Sequence, residues 1–305
     1  MPFRPRLGLT LSGGGARGGA HLGVLRVLEE VGYRPDIVVG TSAGGLVAAM
    51  IGAGWSLEDM ETFFTQANFA DMIYLDRSGG GLVGTERFAG ELRARFGDAD
   101  LRDFSPRVAV IAADIRKRQR ILIDRGPVVK AILATTAVPG LFPPVEWGEY
   151  LLVDGGVADN IPTQATYRLG AQRIVAVDAA RDQANPEMAL ATVGAFSKRL
   201  QRALYWLLSL SNRQKALEVL INSTTLSIQT LASYHLSAYP PDILICPEMP
   251  QVGLFTVERI PEAIRAGEEA ARRFQDQIRR LTKLPCFRGR PEAHRIPPLV
   301  AIELE

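Results

Sequence analysis

The chain has 305 residues, enough to bury a sizeable core as one large domain or two. Apolar residues make up 47% and charged residues 22%, an ordinary globular balance. A formal net charge of +2, with no arginine or lysine block, argues against nucleic acid as the main partner. Cys246 and Cys286 lie far apart without metal-ligand spacing and read as free thiols. There is no apolar leader and no run of about 18 apolar residues, so the expectation is a cytoplasmic protein without a spanning helix.

Leu7-Gly8-Leu9-Thr10-Leu11 reads as a buried strand, followed by the glycine-rich turn Gly13-Gly14-Gly15-Ala16-Arg17-Gly18. Val24, Val27, Leu28 and Val31 then recur at i, i+3, i+4 and i+7, with Arg26, Glu29 and Glu30 on the opposite face. This predicts an amphipathic helix that Gly32 can end. A second apolar run, 37–39, leads into Gly40-Thr41-Ser42-Ala43-Gly44 and a nearly all-apolar helix over 46–51. Strand–turn–helix twice over is α/β patterning with a largely parallel sheet.

Ser56 with Asp59, and Thr85 before Glu86, resemble helix starts, with the loop Ser78-Gly79-Gly80-Gly81 between them. Residues 108–112 and 119–123 read as strands. Arg116, Lys117 and Arg118 join them, and with Arg120 nearby the run reads as a solvated hairpin tip. A helix over 128–134 follows, then a strand over 150–153 that ends at Asp154-Gly155-Gly156, and another strand over 174–177. From Met188 to Leu236 there is no proline and no glycine after Gly194, so long helices are expected. Val193, Phe196, Leu200, Ala203 and Leu207 keep helical spacing. Ile243-Leu244-Ile245 returns to strand. Residues 260–280 read as one charged amphipathic helix with Pro261 in its first turn, and the proline-rich tail 285–305 is expected to pack loosely. The organisation expected is a single domain with its core at about 5–180 and 240–280 and a helical insertion at about 187–238.

Gly40-x-Ser42-x-Gly44 lies between a strand and a helix, the setting of a nucleophile elbow: a sharp turn lifts the hydroxyl clear, and the helix amino terminus adds positive potential. The glycine loop admits two readings. Gly13-x-Gly15-x-x-Gly18 satisfies a dinucleotide fingerprint, but that reading wants an acidic residue at the end of the next strand. That strand ends in the Ser42 motif, and Asp36 precedes it. The alternative is an oxyanion hole made by the amides of Gly13, Gly14, Gly15 and Ala43, with Arg17 suited to an anionic or developing-anion partner. A serine needs a base. His21, His235 and His294 have no motif-like setting, although Ser42, Asp154 and then His235 or His294 would match an α/β-hydrolase order. Asp154 is the better candidate, at a strand's carboxyl end with two glycines exposing it. A plain turn aspartate is the competing reading, and Asp114 and Asp178 read as structural.

Taken together, these motifs resemble the patatin-like phospholipase family: a glycine-rich oxyanion loop, G-x-S-x-G and D-G-G in that order. The flanks Ala137-Val138-Pro139-Gly140-Leu141-Phe142-Pro143-Pro144 and Asp159-Asn160-Ile161-Pro162 also look similar. The likeness is strong over about 7–180 and looser from Asp242 to Arg272. It implies a three-layer α/β/α fold with a mainly parallel sheet. It also implies metal- and cofactor-independent hydrolysis of acyl esters, commonly phospholipids or lysophospholipids, by a Ser42–Asp154 dyad without histidine. Arg17, Gly18, Gly40, Gly44, Gly155 and Gly156 would be the supporting motif residues. A non-catalytic lipid-binding protein on the same fold, and a nucleotide-binding α/β protein, are the alternatives. A lipid substrate calls for peripheral membrane contact. Loop 69–82, with Met72, Ile73 and Tyr74, could supply it, as could the stretch Leu204-Tyr205-Trp206-Leu207-Leu208, flanked by Lys198, Arg199, Arg202 and Arg213. Such helix stripes also pack against a core or a second subunit, which leaves a homo-oligomer open.

Overall fold

The computed structural model of the chain describes residues 4–66, 74–75, 83–181, 213–254, 256–283 and 300–301. The first half contains β1 (Leu7–Leu11), α1 (Gly19–Glu30), β2 (Ile37–Thr41), α2 (Ala43–Gly52), α3 (Leu57–Gln66), β3 (Tyr74–Leu75), β4 (Val83–Gly84), α4 (Glu86–Phe96), β5 (Arg107–Asp114), β6 (Gln119–Ile123) and α5 (Val128–Thr135). The second half contains β7 (Val145–Trp147), β8 (Tyr150–Asp154), α6 (Thr163–Arg168), β9 (Arg173–Val177), α7 (Arg213–Ala238), β10 (Ile243–Ile245), α8 (Ile260–Arg272), α9 (Gln275–Leu281) and β11 (Val300–Ala301).

Among the described residues nine strands form one sheet whose main path runs β10-β9-β1-β2-β5-β6-β11, with β8 against β5 and β7 against β8. From β10 to β5 every pairing is parallel. β5 then pairs antiparallel with both β6 and β8. All five residues of β1 and of β2 are buried, as parallel strands covered on both faces must be. The larger core draws on α1, α2, α3, α5 and α8, with Leu22, Val27, Met50, Phe63 and Ile132 fully buried or nearly so. The opposite face packs Ile161, Ala165 and Leu169, and Ala232 of α7, against Ile37, Val39, Ile111 and Ile174. Sheet and helices therefore stack as α/β/α.

The Ser56 capping box forms: the Asp59 amide donates to Ser56 Oγ at 3.1 Å and the Ser56 amide to Asp59 Oδ2 at 3.3 Å. α4 begins at Glu86 as expected, although the Thr85 side chain makes no cap bond. Three readings need correction. Residues 260–280 form two helices, because a turn at Arg273–Phe274 brings Phe274 against the main core together with Ile278 and Leu281. The tail contributes a strand, β11, which pairs with β6. Arg120 is not part of a solvated tip. It pairs with Ala113, one pair in from the turn, and its side chain is 11% exposed against Asp159. The apolar stretch 204–208 with Lys198, Arg199 and Arg202, most of loop 69–82, Cys286 and His294 lie outside the described residues. Among the described residues no helix is long and apolar enough to cross a membrane.

Candidate active site

The length of β5 brings the two motifs together. Its first half pairs with β2, ending at Ile111 opposite Thr41, and its last residues pair with β8, starting at Ala112 opposite Asp154. Adjacent residues of one strand thus fix the carboxyl ends of β2 and β8 head to head in the same lane of the sheet. Ser42 follows Thr41, so it comes up to Asp154 across that junction, and its side chain is close enough to the Asp154 carboxylate to favour the ionised form.

Ser42 is half-buried and has φ 54° and ψ −124°, a left-handed conformation that is costly for a side-chain-bearing residue. Its surroundings enforce it. The Ser42 amide donates to Thr135 Oγ1 at 2.9 Å, and the Thr135 hydroxyl donates to the Ile111 carbonyl at 2.5 Å. The Ser42 carbonyl accepts from the Leu46 amide at 3.0 Å, starting α2. A Cβ on Gly40 would strike the Gly44 carbonyl, and one on Gly44 the carbonyls of Leu11 and Ser12, so the elbow closes only with glycine at both places.

Asp154 is 6% exposed. Its Oδ1 accepts from the Gly156 amide at 2.7 Å, and its own amide donates to the Ala137 carbonyl at 2.9 Å, which ties in the loop carrying Pro139 and Phe142. A Cβ on Gly155 would strike the Ile111 carbonyl. Burial pushes the Asp154 carboxyl up to about 6, against the opposing effects of the Ser42 side chain and the Gly156 amide. No cation pairs with it among the described residues.

In the glycine loop the geometry sorts the expected oxyanion donors. The Gly13 amide donates to the Asn160 carbonyl at 3.3 Å, so Gly13 shapes the loop and does not offer a free donor, which corrects the expectation of four amides. The amides of Gly14, Gly15 and Ala43 make no backbone hydrogen bond among the described residues. Gly18 lies against Ala43. Ala16 donates to the Leu254 carbonyl, and Arg17 Nε donates to the Val252 carbonyl at 2.5 Å, so Arg17 fastens the loop to segment 249–254.

A second buried carboxylate stands five residues on. Asp159, 1% exposed, is held by the Arg120 guanidinium and lies 3.1 Å from His235 Nδ1 of α7. Arg120 also reaches Gln164, whose amide donates to the Tyr239 hydroxyl at 3.2 Å, and the Thr41 hydroxyl donates to the Asp159 carbonyl at 2.8 Å. His235 thus faces Asp159, and His21 faces the Ser12 carbonyl; neither is bonded to Asp154. Asp114 caps its hairpin by accepting from the amides of Arg116, Lys117 and Leu151. Asp178, whose carboxyl burial raises, accepts from the Ala180 amide. Sequence reasoning missed Ser12, Thr135, Asp159 as a side chain and Arg120. The one available signal was a histidine, His21, in the otherwise apolar first two turns of an amphipathic helix.

The family model for patatin-like phospholipase matches residues 9–167, just over half of the chain, and spans the glycine loop, Ser42 and Asp154. The chain belongs to the patatin-like phospholipase family. A solved structure of similar fold is VipD from Legionella pneumophila (TM-score 0.54, 16% identity, 90% of this chain and 67% of that one). Among curated relatives, an uncharacterized NTE family protein of Mycobacterium tuberculosis is 30% identical over 185 residues, covering 60% of this chain and 51% of that protein. The lysophospholipase NTE1 of Debaryomyces hansenii is 30% identical over 183 residues, 56% of this chain and 12% of that protein. The neuropathy target esterase sws of Drosophila melanogaster is 29% identical over 184 residues, 56% of this chain and 13% of that protein. The chain therefore spans about half the length of the mycobacterial relative and a small part of the other two.

Proposed function

We propose that this chain is a serine acyl hydrolase that cleaves carboxylic esters of lipids, phospholipids or lysophospholipids among them. The observation that carries the reading is a serine strained into a left-handed elbow beside a buried carboxylate raised to about 6. A base titrating near the working pH combines a useful ionised fraction with useful basicity.

In this reading Ser42 Oγ attacks the ester carbonyl as Asp154 takes its proton. The oxyanion gathers at the amides of Gly14, Gly15 and Ala43, at the amino terminus of α2. The leaving alcohol takes the proton from Asp154 and departs, leaving an acyl ester on Ser42. Asp154 then withdraws a proton from water, which attacks the acyl carbonyl. Collapse of the second tetrahedral intermediate releases the carboxylic acid and returns the proton to Ser42. The relatives named as an esterase and a lysophospholipase support the ester and lipid parts of the proposal. The nucleotide reading is disfavoured because Gly13, Ala16 and Arg17 spend their donors inside the fold.

Hydrolysis of a short-chain nitrophenyl ester by wild type, Ser42→Ala, Asp154→Asn and His235→Ala, with a chelator present, tests the reading. Loss in the first two variants with activity kept in the third is expected. Activity that survives Ser42→Ala would overturn it. Contact with a lipid surface through segment 204–208 is a separate part of the proposal, checked by liposome flotation of wild type against Trp206→Asp; equal flotation would remove that segment as the anchor.

A further inference from the structure

His21 on α1 is fully buried, as are its chain neighbours Ala20, Leu22 and Val24, and its Nδ1 has no hydrogen-bond partner among the described residues. A half-satisfied polar ring on the buried part of a helix costs stability, and an aliphatic residue would avoid that cost, so the ring needs a reason to be there. Its other nitrogen, Nε2, lies 2.9 Å from the Ser12 carbonyl. Only the tautomer with the proton on Nε2 can donate there, since the other would set two lone pairs face to face. Burial lowers the imidazole to about 4, so the ring stays neutral over ordinary working pH.

The residue that His21 holds is the last before the glycine loop, and its remaining groups are tied as well. The Ser12 amide donates to the Val177 carbonyl at 3.0 Å, the Ser12 hydroxyl donates to the Gly13 carbonyl at 2.9 Å, and the Ala179 amide donates to Ser12 Oγ at 2.8 Å. With Gly13 bonded to Asn160, every backbone polar group of Ser12 and Gly13 is engaged. The next two amides, of Gly14 and Gly15, make no backbone hydrogen bond among the described residues. The Ser12 carbonyl also sits against the Gly44 Cα, so the same anchor abuts the Ser42 elbow.

We propose that His21 and Ser12 are positioning residues that clamp the Ser12–Gly13 peptide units and so aim the Gly14 and Gly15 amides at the oxyanion. The inference deepens the acyl-hydrolase reading and rests on it. A clamp of this kind acts on the transition state: loosening it lowers the rate of chemistry and leaves substrate binding in place.

The experiment compares wild type, His21→Leu and His21→Gln by ester kinetics, and by hydrogen exchange of the peptide covering residues 12–18. Leucine fills the site without a donor, whereas glutamine can return an N–H to the Ser12 carbonyl. His21→Leu is expected to fold at least as stably as wild type and to lose about 10- to 100-fold in kcat with KM within about twofold. Its 12–18 peptide should exchange faster, and His21→Gln should recover both kcat and protection. Unchanged kcat and exchange in a folded His21→Leu would overturn the clamp, as would a kcat loss that glutamine does not repair at all. Absence of ester hydrolysis in wild type would strike the proposed function, and the exchange comparison would still decide whether His21 holds the loop.

Discussion

Asp154 and Asp159 lie five residues apart on one loop, both almost completely buried, and the fold treats them in opposite ways. Asp159 is compensated by a guanidinium and an imidazole drawn from β6 and α7. Among the described residues Asp154 accepts a hydrogen bond from the Gly156 amide and has the Ser42 side chain beside it, with no cation, and burial drives its carboxyl up. A buried charge with partners fixes geometry. A buried charge without them is costly in the resting protein and ready to accept a proton. The contrast separates the residue proposed to do chemistry from the one that braces it.

The largest expected effects concern rate. Ser42→Ala should lower ester hydrolysis by about 10⁴-fold or more, and Asp154→Asn by about 10²- to 10⁴-fold, both read as kcat/KM on a soluble ester. Asp159→Asn should leave the Ser42 and Asp154 side chains in place and lose much less.

Stability should move the other way. Asp159→Asn strands the Arg120 charge and should cost about 3 kcal/mol in urea unfolding. Asp154→Asn should stabilise. A carboxyl raised in the fold contributes stability that is complete below about pH 4 and is lost as pH rises through about 6. Wild type and Asp154→Asn should therefore be similarly stable near pH 4, while at pH 8 the variant gains up to about 3 kcal/mol. A destabilised Asp154→Asn at pH 8 would erase the distinction between the two carboxylates.

The smallest effect expected is that of His235→Ala. Its contact with Asp159 is secondary to that of Arg120, so unfolding should shift by about 1 kcal/mol and kcat/KM should stay within about threefold. A loss approaching that of Asp154→Asn would make His235 part of the chemistry.

Much of the fold was legible because parallel strands announce themselves. The runs at Leu7–Leu11 and Ile37–Thr41 are buried on both faces; the first leads into a turn and a helix of clear period, the second into a turn and a nearly all-apolar helix. Ser42 and Asp154 were legible from glycines whose close contacts admit no side chain. What brings them together was not, because it depends on β5 changing partners between Ile111 and Ala112, and nothing local in that apolar strand marks the change. Arg120 read as a surface residue because its partners are about 40 positions away, at Asp159 and Gln164. The Gly13 amide read as an oxyanion donor because its engagement with Asn160 is likewise long-range.

The central claim, an uncompensated Asp154 poised to take the Ser42 proton, is tested most directly by the pH dependence of Ser42 acylation by a fluorophosphonate ester in the wild-type protein. The base must be ionised to act, so the labelling rate should rise about tenfold per pH unit below 6 and level off above it. A rate that is flat from pH 4.5 to 8, or that levels off already near pH 4, would contradict the claim.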